Sequence, residues 1–341
     1  MSWLPHKVNL KWILLVGSLL LPLVVRSPFV LHVIILIGIY VILTDALNFV
    51  TGFAGQLALG IAAFVTIGGY TGALLMLNND WSFWTALVAG GAAGFLSGLI
   101  LGVLSLRLRG DYLGMVTLGF SEIVRIVAIN LVPVTRGPMG LPGIPRPEIL
   151  GYLFHGDIPY YYLLLALIIF THVTIERMLF SRFGRACLAI RDDESAAAAM
   201  GVQAYQYKVL AFCISSAYAG LAGVFYASWT TLFSPDSFQL VDSIMVSVMN
   251  TLGGIGSLLG SFPGAIILAS LPEIFRPFTT GARVASLRLA LVGLIMLFLV
   301  IFRPQGIAGM SIDPVFISLE PIRRWFTRRQ DKVDENKEAK Q

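Results

Sequence analysis

The feature that most constrains this chain is a series of long runs without a single Asp, Glu, Lys or Arg. They extend from Trp12 to Val25, Ser27 to Thr44, Ala46 to Asn79, Trp81 to Leu106, Ile158 to Ile175, Val209 to Pro235, Ser243 to Pro272 and Leu289 to Phe302. A ninth, Tyr112 to Pro133, is interrupted only by Glu122 and Arg125. The hydrocarbon layer demands about 20 apolar residues per helical crossing, because every backbone polar group there must be satisfied inside a helix or a closed barrel. These runs are continuous rather than alternating, which selects helices. The run from Ser243 to Pro272 is too long for one upright helix and holds a glycine-rich break, so it reads as two passes or as one pass plus a re-entrant piece. The fold class is therefore all-α, a polytopic transmembrane bundle of about ten membrane elements with about eight as the floor. Composition agrees: 13% of the residues are charged, against roughly 25% in a soluble domain, and the mean hydropathy is +0.81.

Lys7 and Lys11 before an apolar run imitate a signal peptide, but no small-residue cleavage pattern follows at Arg26-Ser27-Pro28. The segment is expected to be the first transmembrane helix. Cys187, in an expected loop, and Cys213, in an expected helix, have no ligand-type neighbours and indicate neither a disulfide nor a metal site. His6, His32, His155 and His172 are scattered and read as helix-end or packing residues.

With ten crossings and the N-terminus inside, the segment 176–208 and the tail after Phe302 both fall in the cytoplasm, as do the N- and C-termini. The basic residues test that choice. Lys7, Lys11, Arg107, Arg109, Arg177, Arg182, Arg185, Arg191, Lys208 and the basic tail fall inside, against Arg26, Arg136, Arg146, Arg276, Arg283 and Arg288 outside. This is the excess expected of the cytoplasmic side, and Arg276, Arg283 and Arg288 fit it least. Between Pro133 and Pro159 the chain is rich in Pro and Gly, which predicts an ordered irregular rim rather than another span. The tail places Trp325 and Phe326 among Arg323, Arg324, Arg328 and Arg329, a pattern that rests on anionic headgroups of the lipid bilayer.

Three features bear on function. In the segment 176–208, Asp192 or Asp193 can accept the free amide protons of a short helix, with Glu194 at its positive end, Ser195, Ala196 and Ala197 within it, and Gly201 closing it in the left-handed conformation. Its alanines leave a narrow, smooth surface, which suits either docking in a groove of another protein or lying on this chain's own inner face. Second, Gly-x-x-Gly-x-Leu occurs twice in apolar context, at Gly52, Gly55 and Leu57 and at Gly253, Gly256 and Leu258. Paired interruptions of this kind point to discontinuous helices along a translocation path, although glycines also let membrane helices pack closely. Asp45, Asn48, Gln56 and Asn250 beside the breaks favour a polar lumen. Third, Glu122 and Arg125 share one helix face within a span, where charges are paired or face a cavity; an ion pair that orders the helix is the expectation.

A nucleotide-binding helix needs Gly-x-x-x-x-Gly-Lys-Ser/Thr, and no glycine-rich stretch here supplies that lysine. Any ATP, with its Mg²⁺, belongs to a partner. No His, Cys or acidic cluster offers a catalytic constellation, so no enzyme is expected, and nucleic acid is not an expected partner.

In these residues the chain resembles the inner-membrane permease subunits of bacterial ABC importers for branched-chain amino acids. The resemblance covers about Leu36 to Gly309. It is carried by the stretch from Leu47 to Gly60, by Arg107-Leu-Arg-Gly-Asp-Tyr-Leu-Gly-Met-Val-Thr-Leu-Gly-Phe120, by Gly137-Pro-Met-Gly-Leu-Pro-Gly-Ile-Pro145 and by Gly253-Gly-Ile-Gly-Ser-Leu-Leu-Gly260. It looks like the larger of two paired permeases. The resemblance implies a heterodimer with a second permease, two cytoplasmic ATPases, an extracytoplasmic substrate-binding protein for Leu, Ile or Val, and a place in the bacterial inner membrane. Residues 1–309 would form the permease domain and 310–341 its tail. The family's Glu-Ala-Ala-x-x-x-Gly docking loop reads here Ser195-Ala196-Ala197-x-x-x-Gly201, with serine where glutamate is usual. Alternatives are an ABC permease for urea, short amides or another small polar solute, and a stand-alone secondary transporter driven by an ion gradient.

Overall fold

The structure is a computed structural model that describes residues 27–105, 110–149, 152–154 and 156–275, with a few isolated positions on either side. The expected crossings from Trp12 and from Leu289, the basic residues Arg107, Arg109, Arg276, Arg283 and Arg288, and the tail 310–341 lie outside the described residues.

Helix α1 (Pro28–Asn48) opens on a proline, whose missing N–H would have no partner in a first turn anyway. It runs on through a π-helical turn, Phe49–Phe53. There follow α2 (Ile61–Asn78), α3 (Phe83–Ser105), α4 (Asp111–Asn130) and the single turn α5 (Val132–Thr135). Beyond a connection holding short strands β1 (Leu141–Pro142), β2 (Glu148–Ile149) and β3 (Tyr152–Leu153) come α6 (Asp157–Leu179), α7 (Arg182–Asp192), α8 (Glu194–Ala199) and α9 (Ala204–Thr230). Strand β4 (Leu232–Phe233), α10 (Leu240–Gly253) and α11 (Ser261–Phe275) complete the described chain. Six helical stretches among the described residues are long and apolar enough to cross a membrane: Pro28–Phe53, Ile61–Asn78, Phe83–Leu104, Tyr112–Asn130, Asp157–Leu179 and Ala204–Thr230. Both α10 and α11 are shorter, and the run from Ser243 to Pro272 is divided between them at its glycine break.

The bundle is built around α9, which packs along α2 and α3. Close approach is possible because a side chain at Gly68 would strike the backbone of Gly220. A smaller apolar cluster, Val41, Met249, Leu252, Ala265, Leu268 and Ala269, holds α10 and α11 against α1.

Contacts between connections define two ends. At one, Gly110, Ile190 to Glu194 and Lys208 border one cavity, and Tyr205 Oη donates to the carbonyl of Val103. At the other, His32 lies against Trp229, Trp84 Nε1 donates to the carbonyl of Glu148, and β1 pairs with β4 in the register Leu141↔Phe233. The Pro- and Gly-rich connection is thus ordered and sits opposite the loop 176–208.

One expected boundary moves. Asp45 separates two uncharged runs in the sequence, yet α1 continues past it for two turns, and the interruption falls at 54–60. The carboxylate is tolerated inside the helix because it is met there by Ser261 and His172.

Candidate functional site

The two glycine breaks, separated by most of the chain, form a single junction. At the end of α1, Asn48 Nδ2 donates to the carbonyl of Ser257 (2.7 Å), and Asn48 Oδ1 accepts from the amide of Gly256 (2.8 Å). Asn250 Nδ2 donates to Thr51 Oγ1 (2.6 Å). Backbone groups released where a helix is interrupted must be satisfied by other protein groups in a membrane, and Asn48 does this for the second break. Gly52 allows the approach: a Cβ there would meet Asn48 Oδ1 and the backbone of Gly256. Asn48, Gly52, Asn250, Gly253 and Gly256 are all buried, whereas Gly55 is exposed and, with Gln56, borders a cavity of about 240 Å³.

A buried polar cluster lies one turn above this junction. Asp45 faces His172 Nδ1 of α6 at 3.1 Å and accepts from Ser261 Oγ at the start of α11. Both ring and carboxylate are almost wholly enclosed, at 1% and 4% exposure. It adds a polar tie between α1, α6 and α11. Sequence reasoning treated His172 as a packing residue. The usable signal was that His172 is a titratable group inside an otherwise uncharged span, a placement that calls for a partner.

Segment 176–208 holds two helices where one was expected. Ser181 caps α7, its Oγ accepting from the amide of Phe183 (3.2 Å). Asp193 caps α8, accepting from the amides of Ser195 (2.8 Å) and Ala196 (3.0 Å). Of the two acids offered by the sequence, Asp193 is the cap, and Asp192 instead pairs with Arg191 at 3.0 Å. Gly201 follows with φ +86°, in the left-handed region expected. Glu194 bonds Lys208 at the foot of α9 (2.9 Å), and Ala197 is buried while Ser195 and Ala196 are exposed. Cys187, on the inner side of α7, has its thiol pushed up to about 12 by burial.

The loop touches the break directly. Arg191 Nη1 donates to the carbonyl of Gly52 at 3.0 Å. At Gly55, whose φ is +67°, an added Cβ would press on the Cγ, Cα and Cβ of Arg191. Arg191 was not singled out from the sequence. The cavity between loop and break is bordered by Gly55, Gln56, Gly110, Arg191, Asp193 and Lys208, among others.

Glu122 and Arg125 do form an ion pair, at 3.0 Å. Arg125 also reaches Asp236, in the connection between β4 and α10, at 2.8 Å, a partner absent from the sequence argument. Just beyond that connection, Tyr40, near the middle of α1, donates to Asp242 in the first turn of α10 at 3.1 Å. Helix α10 therefore begins inside the bundle and runs from there to the junction.

Residues 29–300 match the family described as the permease component of the branched-chain amino acid transport system. The chain is 36% identical over 320 residues, 86% of its length and 74% of the relative's, to the high-affinity branched-chain amino acid transport system permease protein LivM of Escherichia coli. It is 25% identical to a probable branched-chain amino acid transport permease protein LivM of Methanocaldococcus jannaschii, over 79% of this chain and 90% of that one. A guanosine ABC transporter permease protein of Bacillus subtilis is 24% identical over 65% of this chain and 77% of its own length. No solved structure matches the chain. The chain belongs to the family of permease components of branched-chain amino acid transport systems.

Proposed function

We propose that this chain is the larger permease subunit of an inner-membrane ABC importer, and that with a second permease it lines the path for leucine, isoleucine and valine. Two ATPases on the cytoplasmic side bind ATP and Mg²⁺ and hydrolyse the nucleotide. An extracytoplasmic binding protein delivers the substrate. The chain itself performs no covalent chemistry and holds no cofactor. Its about ten membrane elements and both termini are arranged so that the loop 176–208 and the tail 310–341 lie in the cytoplasm. The branched-chain cargo is supported by the gap between 36% identity to the LivM relative and 24% to the guanosine permease.

The observation that carries the ATP-driven reading is the bond from Arg191 to Gly52, because it joins the loop to the break without an intermediary. In this mechanism Asp192 to Gly201 dock on an ATPase. When the ATPases close, α7 and α8 are displaced, and Arg191 carries that displacement to the carbonyl of a span where the α-helical ladder has already been interrupted. A break bends more readily than a helix. The junction of Asn48, Gly52, Asn250, Gly253 and Gly256 then opens or closes beside Gly55 and Gln56, which alternates access to the path. Glu122 and Arg125 keep α4 in register with the connection that leads into α10.

Reconstitution tests the whole. The chain with its partner permease, ATPases and binding protein in proteoliposomes should import labelled leucine only with ATP inside. Import driven by a proton or Na⁺ gradient without the ATPases would refute the proposal.

A further inference from the structure

Among the six spans, α4 is the one left most open. Only 28% of the residues across it are buried, against 72% across α9. Its open side is a continuous stripe, Tyr112, Met115, Gly119, Ile123 and Ile126, spaced at three and four residues and so on one face. Nothing lies within 4 Å of where a side chain at Gly119 would stand.

Lipid is a poor cover for this face. Glu122 is on its shoulder, with a side chain 39% exposed, and lies roughly 12 Å from the nearer end of α4 at 1.5 Å per residue. Charged groups at such depth turn to protein or water rather than to acyl chains. A second copy of this chain is an equally poor cover. Arg125 serves both Glu122 and Asp236, so among the described residues the network has one carboxylate more than it has cations. A two-fold pairing sets the same patch against itself and would bring two such networks together in low dielectric. A different membrane subunit, offering a hydrogen-bond donor or a cation opposite Glu122, meets both conditions.

We infer that the open face of α4, with Glu122 on its margin, is the surface on which the second permease subunit seats. This rests on the proposed function and specifies where its subunit contact lies. Gly119 lets a facing helix come close, and the polar margin sets Glu122 where a donor or cation of the facing subunit can meet it.

The test uses the complete complex in membranes. A photoreactive phenylalanine analogue is placed singly at Met115 and at Ile123, and for comparison at Val88 and Ile100 on the open side of α3. The expected result is a shift of this chain to the summed mass of the two permeases from Met115 and Ile123, with the second permease identified in the adduct. Two positions guard against one substitution that fails to assemble. Adducts with lipid alone, or with a second copy of this chain, at both α4 positions would overturn the inference, as would permease adducts from α3 only. Leucine import by the unsubstituted complex is measured alongside; its absence strikes the proposed function, whereas import with lipid-only adducts strikes this surface alone.

Discussion

Arg191 donates to the carbonyl of Gly52 at 3.0 Å, so a side chain from the loop 176–208 is bonded to the backbone of a span within the π-helical turn that ends it. With a side-chain exposure of 18%, this guanidinium is shielded from most solvent screening. A hydrogen bond to a charged group contributes about 1.5–3 kcal/mol, which corresponds to roughly tenfold or more in an equilibrium. Arg191→Ala should therefore leave the ATPase activity of the complex intact and lower leucine imported per ATP by about tenfold. Arg191→Lys should restore part of it, because an ammonium can still reach one carbonyl. Equal import per ATP in the alanine variant and the unsubstituted chain would remove Arg191 from the mechanism.

Gly52→Ala tests the junction itself. The new methyl meets the backbone of Gly256 and Asn48 Oδ1, and the Asn48 amide is held in place by its bonds to Ser257 and Gly256. Overpacking of this sort costs about 1–3 kcal/mol. A lower thermal midpoint in detergent, together with loss of import, is expected; a midpoint equal to that of the unsubstituted chain would mean the breaks are not packed as described.

Asp45 should be less replaceable than its position in an apolar run implies. Asp45→Leu removes the acceptor shared by Ser261 and His172, and breaking a buried pair costs about 3–5 kcal/mol. Asp45→Asn keeps an oxygen for Ser261, and its cost should be nearer about 1–3 kcal/mol, that of an imperfectly matched buried polar group. Membrane-inserted yield and thermal midpoint should fall in the order unsubstituted chain, asparagine, leucine. Reversal of that order would count against the cluster as a tie between α1, α6 and α11.

Cys187 provides a pH-dependent probe of the loop. Burial raises its thiol to about 12, while an unfolded thiol has a pKa of about 8.5. The folded state therefore holds this proton more tightly, and the stability it contributes is complete below about pH 8.5 and declines as pH rises toward 12. Iodoacetamide labelling mapped by mass spectrometry should be negligible at Cys187 near neutral pH and prompt once the chain is denatured. Rapid labelling of the native complex would show that α7 detaches from its seat.

Much of the bundle could be read from periodicity and charge. Runs without charge mark the spans because lipid admits few alternatives, and Asp193 and Gly201 mark α8 because capping is local chemistry. What escaped the sequence reading was mostly tertiary. Nothing near Arg191 in the chain announces Gly52 as its partner, and nothing near Arg125 announces Asp236. Asp45 misled in the opposite direction: a charge ends an uncharged run on paper, but a partner brought from residue 172 lets the helix ignore it. The two glycine breaks were visible as a pair; that they interlock through Asn48 depends on a distance no local pattern encodes.

That interlock sets a schedule for biosynthesis. The amide of Gly256 bonds a residue 208 positions earlier, so Asn48 enters the membrane long before its partner exists. At 5–20 residues per second the ribosome needs roughly 10–40 s to supply it. Throughout that interval the end of α1 has an interrupted helix and an unanswered amide side chain. A nascent chain stalled before residue 256 would lack both groups that the Asn48 amide bonds in the finished subunit.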